Sequence, residues 1–394
     1  MVGAMSIETS KNVTNWRDYS KVKRTLALAL SGLILALGAC QQSYAPLNPA
    51  VGPGLTAQSN TTANDPAQDP GLNPSLQRDQ YLCVVEPAPN NRSTLKIMNL
   101  QNRWVRRMDL PGRVLTLTGD RPNAKLYLSL RSGTSNPDYN LFVLNLRDFM
   151  LDHSLSFSQA RLVPIDVKVR GREAFVSAKE GGIGGLLRNE LDTGAWEYLA
   201  SHFPAGLLEW GDQPNLIQSV YFGDDNIERT TIDIEAQQVV DQQKFPHGVP
   251  FGNNVGLLSP QGKFFYAFHQ LKGEVSLYAF DIKEGSVNRQ VALQKAVGIL
   301  YSTAISKDGT RLYATIDNRV ERFALQGAFM RKMPAIQLPV TEARHLSLSE
   351  DQRTLYVTHE DSDQVSRVMN VDSEHNYRVD AFPFAGKNEE VIVF

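Results

Sequence analysis

Ser306-Lys307-Asp308-Gly309-Thr310-Arg311-Leu312-Tyr313-Ala314-Thr315 reads as a tight turn running into a short apolar strand, and a near copy follows 43 residues later at Ser349-Glu350-Asp351-Gln352-Arg353-Thr354-Leu355-Tyr356-Val357-Thr358-His359. Asp and Gly in the turn supply the dihedrals that a hairpin needs. Working outward, a strand centred on an apolar, usually aromatic residue recurs at Leu82, Tyr127, Phe175, Tyr221, Tyr266, Tyr313 and Tyr356, with spacings of 45, 48, 46, 45, 47 and 43 residues. An aliphatic residue after a small or polar one closes the next strand at Leu100, Leu146, Leu191, Ile234, Ile282, Leu325 and Val371, with spacings of 46, 45, 43, 48, 43 and 46. Two independent markers therefore agree on seven units.

Each unit places a turn, such as Pro260-Gln261-Gly262, before the aromatic strand and an alternating strand after it. Asn226-Ile227-Glu228-Arg229 matches Arg319-Val320-Glu321-Arg322 two units later. Period-two runs bounded by turns predict antiparallel strands, and no helical stripe of twelve or more residues interrupts them. A unit of about 45 residues holds four strands of about 5–6 residues with their turns. The reading is an all-β, seven-bladed β-propeller of four-stranded antiparallel blades over residues 78–394.

The first unit lacks an inner strand, because Gly71-Leu72-Asn73-Pro74-Ser75 has no strand pattern, whereas Glu390-Val391-Ile392-Val393-Phe394 continues past the seventh unit and resembles the inner strands Leu346-Ser347-Leu348 and Val163-Pro164-Ile165-Asp166-Val167. The C-terminal strand is predicted to complete the first blade and leave no unpaired inner edge.

Composition suits a large core: 394 residues, 42% hydrophobic and 21% charged, with two cysteines. Disorder, collagen and disulfide-stapled folds are excluded. At the N-terminus, Lys21, Lys23 and Arg24 precede an apolar run from Leu26 to Leu37. Fifteen or so residues at about 1.5 Å each reach about 22 Å, short of the roughly 30 Å hydrocarbon core, which favours a removable signal over a permanent span. Glu8 and Asp18 are unusual ahead of a signal, so translation is expected to start at Val22. Residues 41–79 carry Pro46, Pro49, Pro53, Pro66, Pro70 and Pro74 among Asn, Gln, Ser, Thr and Ala, with no lysine. Residues 40–77 are read as a flexible tether, with a reach of roughly 35 Å. Losing residues 1–39 takes five basic and two acidic groups from totals of 40 and 42, leaving 35 and 40, a formal charge of −5. Such a balance gives no net attraction to nucleic-acid phosphates, so no nucleic-acid partner is expected.

Two resemblances add to this. Leu37-Gly38-Ala39-Cys40 resembles the lipobox of bacterial lipoproteins. That likeness implies recognition of Leu37, Gly38 and Ala39 by the signal peptidase, removal of residues 1–39, and acylation of Cys40, with Gln41 implying sorting to the outer membrane. Two or three acyl chains would exceed what stable anchoring needs. The turn-strand repeats in units five to seven look like the Ser-Pro-Asp-Gly…Leu-Tyr-Val-Thr-Asn signature of YVTN-type propellers, within the broad lactonase-like and quinoprotein-like seven-bladed group. His269 and His359 stand at the signature's Asn. The resemblance implies a fold more than an activity, because such rings host hydrolases, redox enzymes and plain scaffolds.

Chemistry-bearing motifs are scarce. The seven histidines include no His-Glu-x-x-His or Cys/His metal spacing. Neither Cys-x-x-Cys-His nor Gly-x-Ser-x-Gly occurs. No metal, no cofactor and no catalytic residue is assigned, and Cys83 is read as a buried, inert thiol. Aligning the inner strands puts Val114, Val163, Val255, Ser302, His345 and Glu390 at one ring level, with Ser302, His345 and Glu390 as the candidate ligand site at the channel mouth. The expectation is a monomeric, membrane-anchored envelope lipoprotein whose propeller is a non-catalytic scaffold for a protein or surface polymer. The alternative is a lactonase-like or quinoprotein-like enzyme using the polar groups of the mouth.

Overall fold

The computed structural model describes residues 81–394 apart from 101–104, 121, 134–137, 157–161, 181–182, 191, 194, 224–225, 247–252, 261, 272–273, 284–285, 293–298, 361, 385–389 and 394. The signal segment, Cys40 and the tether lie outside the described residues.

Twenty-eight strands form seven sheets of four, all antiparallel, and no described residue is helical. Six blades are sequential, spanning 113–156, 163–203, 207–246, 253–292, 300–337 and 343–383. The first blade is composite. Tyr81–Ala88, Arg92–Asn99 and Val105–Leu110 are joined by Glu390–Val393, which pairs along Leu82–Val85 as the innermost strand. The C-terminal closure read from the sequence is therefore present.

Blade faces bury their apolar residues only against one another. Seven hydrophobic clusters fill the seven interfaces, among them Tyr313, Val320 and Ile336 of the sixth blade against Leu355, Val357 and Val368 of the seventh. Leu82, Val84 and Met98 of the first blade meet Tyr356, Val365 and Phe384 of the seventh, so the closing interface is apolar too. A single blade would leave both faces wet, which is why the repeat must close into a ring. Cys83 lies in the interface between the first two blades, and burial pushes its thiol pKa far up, which removes thiolate chemistry.

The matching tetrapeptides carry matching arginines. Arg229 donates to the carbonyl of Ile282 at 2.9 Å and the fully buried Arg322 to that of Val371 at 3.0 Å, each acceptor being the strand-closing residue of the following blade. Arg322 also donates to Pro334 O at 2.8 Å and Ser373 O at 2.5 Å. Its charge is thus shared among carbonyl oxygens, and no unpaired buried cation results.

The register corrects two of the seven markers. In the second blade Lys125 pairs with Asn145 and Tyr127 faces the third blade, while in the first blade Tyr81 pairs with Asn99, so Cys83 and not Leu82 holds that place. In the fourth blade Leu216 closes the hairpin bond that Phe264, Arg311 and Thr354 close elsewhere, which gives Gln218 the place of Tyr266, Tyr313 and Tyr356. Tyr221 lies three residues further on and is only half-buried. An off-register strand of period two turns each side chain to the other face, and a purely apolar marker does not reveal it.

Candidate functional site

The channel is lined by the first strand of each blade. Four of the seven share an irregularity: the register slips between Val114 and Thr116, Pro164 and Asp166, Leu300 and Ser302, and Ala343 and Leu346. At two of these kinks a hydroxyl on the neighbouring strand holds the amide. Thr315 Oγ1 accepts the amide of Ser302 at 3.1 Å, and Thr358 Oγ1 accepts that of His345 at 3.2 Å. Thr315 Oγ1 also donates to Arg344 O of the next blade at 2.6 Å, as Ser177 Oγ does to Gly206 O at 2.6 Å. Thr315 thus satisfies an amide of its own blade and bolts that inner strand to the next, Thr358 does the first and Ser177 the second.

By register Ser302, opposite Thr315, and His345, whose amide donates to Thr358, stand at one ring level. Glu390 shares it by register, being opposite Val85, and Val255 shares it opposite Phe268; their side chains lie outside the description. Val114 and Val163 do not. By pairing register Thr116, opposite Ser129, and Asp166, opposite Ser177, take their places, two and three residues further along the strands.

Around His345 the mouth is built from the last two blades. The Arg344 guanidinium lies 4.0 Å from the Tyr301 ring centroid and is ion-paired with Glu360. Burial, with the Arg344 charge added, pushes the His345 pKa down to about 4, so the imidazole is neutral at pH 7.

From the ring level a cavity of about 460 Å³ runs toward the end of the channel where the inner hairpins turn. One wall is charged: Asp166 and Lys168 from the third blade and Glu209 from the fourth. Facing it are Leu257, Leu258 and Ile305. Asp166 Oδ1 accepts its neighbour's amide, Val167 N, at 2.8 Å, and Oδ2 accepts Leu208 N at 2.8 Å. Lys168 Nζ donates to Glu209 Oε2 at 3.2 Å, and Glu209 Oε1 accepts Trp210 N at 3.1 Å. Burial raises the Asp166 pKa against the opposing pull of Lys168 and the two amides. Burial disfavours the Lys168 charge too, but Asp166 and Glu209 outweigh it and hold the lysine protonated.

Sequence reasoning missed this cluster. Its signal was present in Val163-Pro164-Ile165-Asp166-Val167-Lys168, an inner strand with charges at alternate residues. Among the described residues no group of three His, Cys, Asp or Glu side chains is arranged to hold a metal ion.

No protein-family model matches the chain, and no curated protein does. Solved structures do. A candidate 6-phosphogluconolactonase of Bacteroides fragilis is similar over 82% of this chain and all of its own, at 14% identity and a TM-score of 0.60. The periplasmic gluconolactonase PpgL of Pseudomonas aeruginosa is similar over 79% of this chain and 98% of its own, at 16% identity and 0.57. Apo AztD of Citrobacter koseri covers 80% and 97%, at 8% identity and 0.52. The likeness is one of fold. At such identities the seven-bladed ring is what is shared, and the residues in its channel must be read on their own.

Proposed function

We propose that the chain is a lipid-anchored envelope protein, held through Cys40 at the outer membrane, whose propeller is a non-catalytic binding scaffold for a protein or surface polymer. The observation that carries this reading is the commitment of the channel's reactive groups to the ring itself. Thr315 and Ser177 donate to inner-strand carbonyls, Thr358 accepts the amide of His345, and Asp166 accepts two amides. A pre-organised ring loses little freedom when a partner docks, which suits a platform. The Tyr301, Arg344 and Glu360 arrangement at the mouth, beside the exposed Ile299, offers an apolar and a charged contact together. Cross-linking of the full-length protein in membranes, followed by mass spectrometry, tests it. The expected result is a defined partner whose links cluster at the mouth; random links with no enriched partner would refute the scaffold.

One observation favours a second reading, a lactonase-like hydrolase. At one ring level stand Asp166, whose carboxyl pKa is raised by burial, and a neutral imidazole, His345. The gluconolactonase names carried by two similar structures agree with it. Lactone hydrolysis and dye-linked oxidation by the full-length protein decide between the readings. Turnover abolished by His345→Gln and Asp166→Asn would replace the scaffold with the enzyme.

A further inference from the structure

The charges on the cavity wall do not cancel. Asp166 and Glu209 present two carboxylates against one ammonium, that of Lys168. Lys307 at the rim is mostly exposed and is ion-paired with Glu350, so it does not supply the missing positive charge. A carboxylate offers about four acceptor sites. Asp166 receives two amide donors, and Glu209 receives one amide and Lys168, which leaves each with acceptor capacity beside the open volume. Leu257, Leu258, Ala304 and Ile305 give the cavity an aliphatic lining as well, beside Thr303 and Ser306. The volume falls within the range of small-molecule sites, roughly 300–1,000 Å³.

We propose that this cavity binds an aliphatic amine, its ammonium held between the Asp166 and Glu209 carboxylates and its methylene chain laid on Leu257, Leu258 and Ile305. The inference stands apart from the scaffold reading, since it concerns the hairpin end and not the mouth. An anionic ligand would meet two carboxylates and a lysine already engaged by one of them. A hydrated metal ion gains nothing from an aliphatic wall, and a neutral ligand leaves the surplus charge uncompensated in a site of low dielectric. A protonated amine with a short alkyl chain answers both walls at once.

Titration calorimetry of the full-length protein at pH 7 and low salt, with hexylamine, hexanoate and hexanol as probes, tests it. The expected result is saturable one-site binding of hexylamine, with hexanoate and hexanol at least tenfold weaker. Glu209→Gln should weaken hexylamine at least tenfold. Lys168→Met, which removes the resident cation, should tighten hexylamine, and hexylamine should raise the melting temperature of that variant more than that of the wild type. A merely structural cluster would give no saturable amine binding and no such rescue. Hexanoate bound as tightly as hexylamine by the wild type overturns the proposal whether or not either variant folds, and so does hexylamine affinity unchanged in Glu209→Gln. Neither result bears on the cross-linking at the mouth.

Discussion

Asp166 of the third blade accepts the amide of Leu208 of the fourth at 2.8 Å, so a side chain supplies the link between two inner strands that have no hydrogen-bonded ladder between them. The same carboxylate lies in the electrostatic reach of Lys168, which crosses the same gap to Glu209. This interface of the ring is thereby fastened by charge as well as by the Ser177 hydroxyl.

Asp166→Ala should cost about 1–3 kcal/mol, because the amide of Leu208 loses its partner in a site where water cannot fully replace it. Asp166→Asn, which keeps one acceptor, should cost less. Chemical denaturation of the two variants checks the order; equal losses would mean that the charge, and not the link to Leu208, is what matters.

Thr315→Val preserves shape and removes both the acceptor for Ser302 N and the donor to Arg344 O. The residue is fully buried, so a loss of about 1–3 kcal/mol is expected from unfolding curves. Thr310→Val, at an exposed turn, should lose less.

Deleting residues 389–394 strips the innermost strand from Leu82–Val85 and reopens the ring. Differential scanning fluorimetry should show a midpoint lower by at least about 10 °C, since several kcal/mol are lost at roughly 2–4 °C per kcal/mol. A truncated chain that melts with the full-length protein would refute closure by the C-terminal strand.

The pH dependence follows from His345. Its folded pKa, about 4, lies below the ordinary 6.5, so between those values the unfolded chain binds the extra proton. Stability from this residue is complete above about pH 6.5 and falls as the pH drops toward 4, by up to about 3 kcal/mol. Asp166 acts in the opposite sense, because its pKa is raised. The measurement is therefore the difference between wild type and His345→Leu from pH 4 to 7, which should slope upward with pH and flatten near neutrality.

The membrane anchor is tested by Cys40→Ser. Fractionation of cells should move the protein from the membrane to the soluble fraction, and labelled palmitate should mark the wild type only. A variant still found in membranes would remove lipid as the anchor.

Seven units, four strands to a unit, and closure by Glu390–Val393 were legible in the letters alone, because hidden apolar faces of period two repeat at nearly constant spacing and a missing strand at one end matches a surplus strand at the other. Ser302 and His345 were expected at one level from the same alignment. Only the tertiary structure decided which residues join them. Only the pairing register puts Thr116 and Asp166 at that level, and a charge on an inner strand looks the same in sequence whether it meets solvent or the strand of the next blade. Asp166, Lys168 and Glu209 come together because the ring brings residues some forty apart in sequence side by side around one axis.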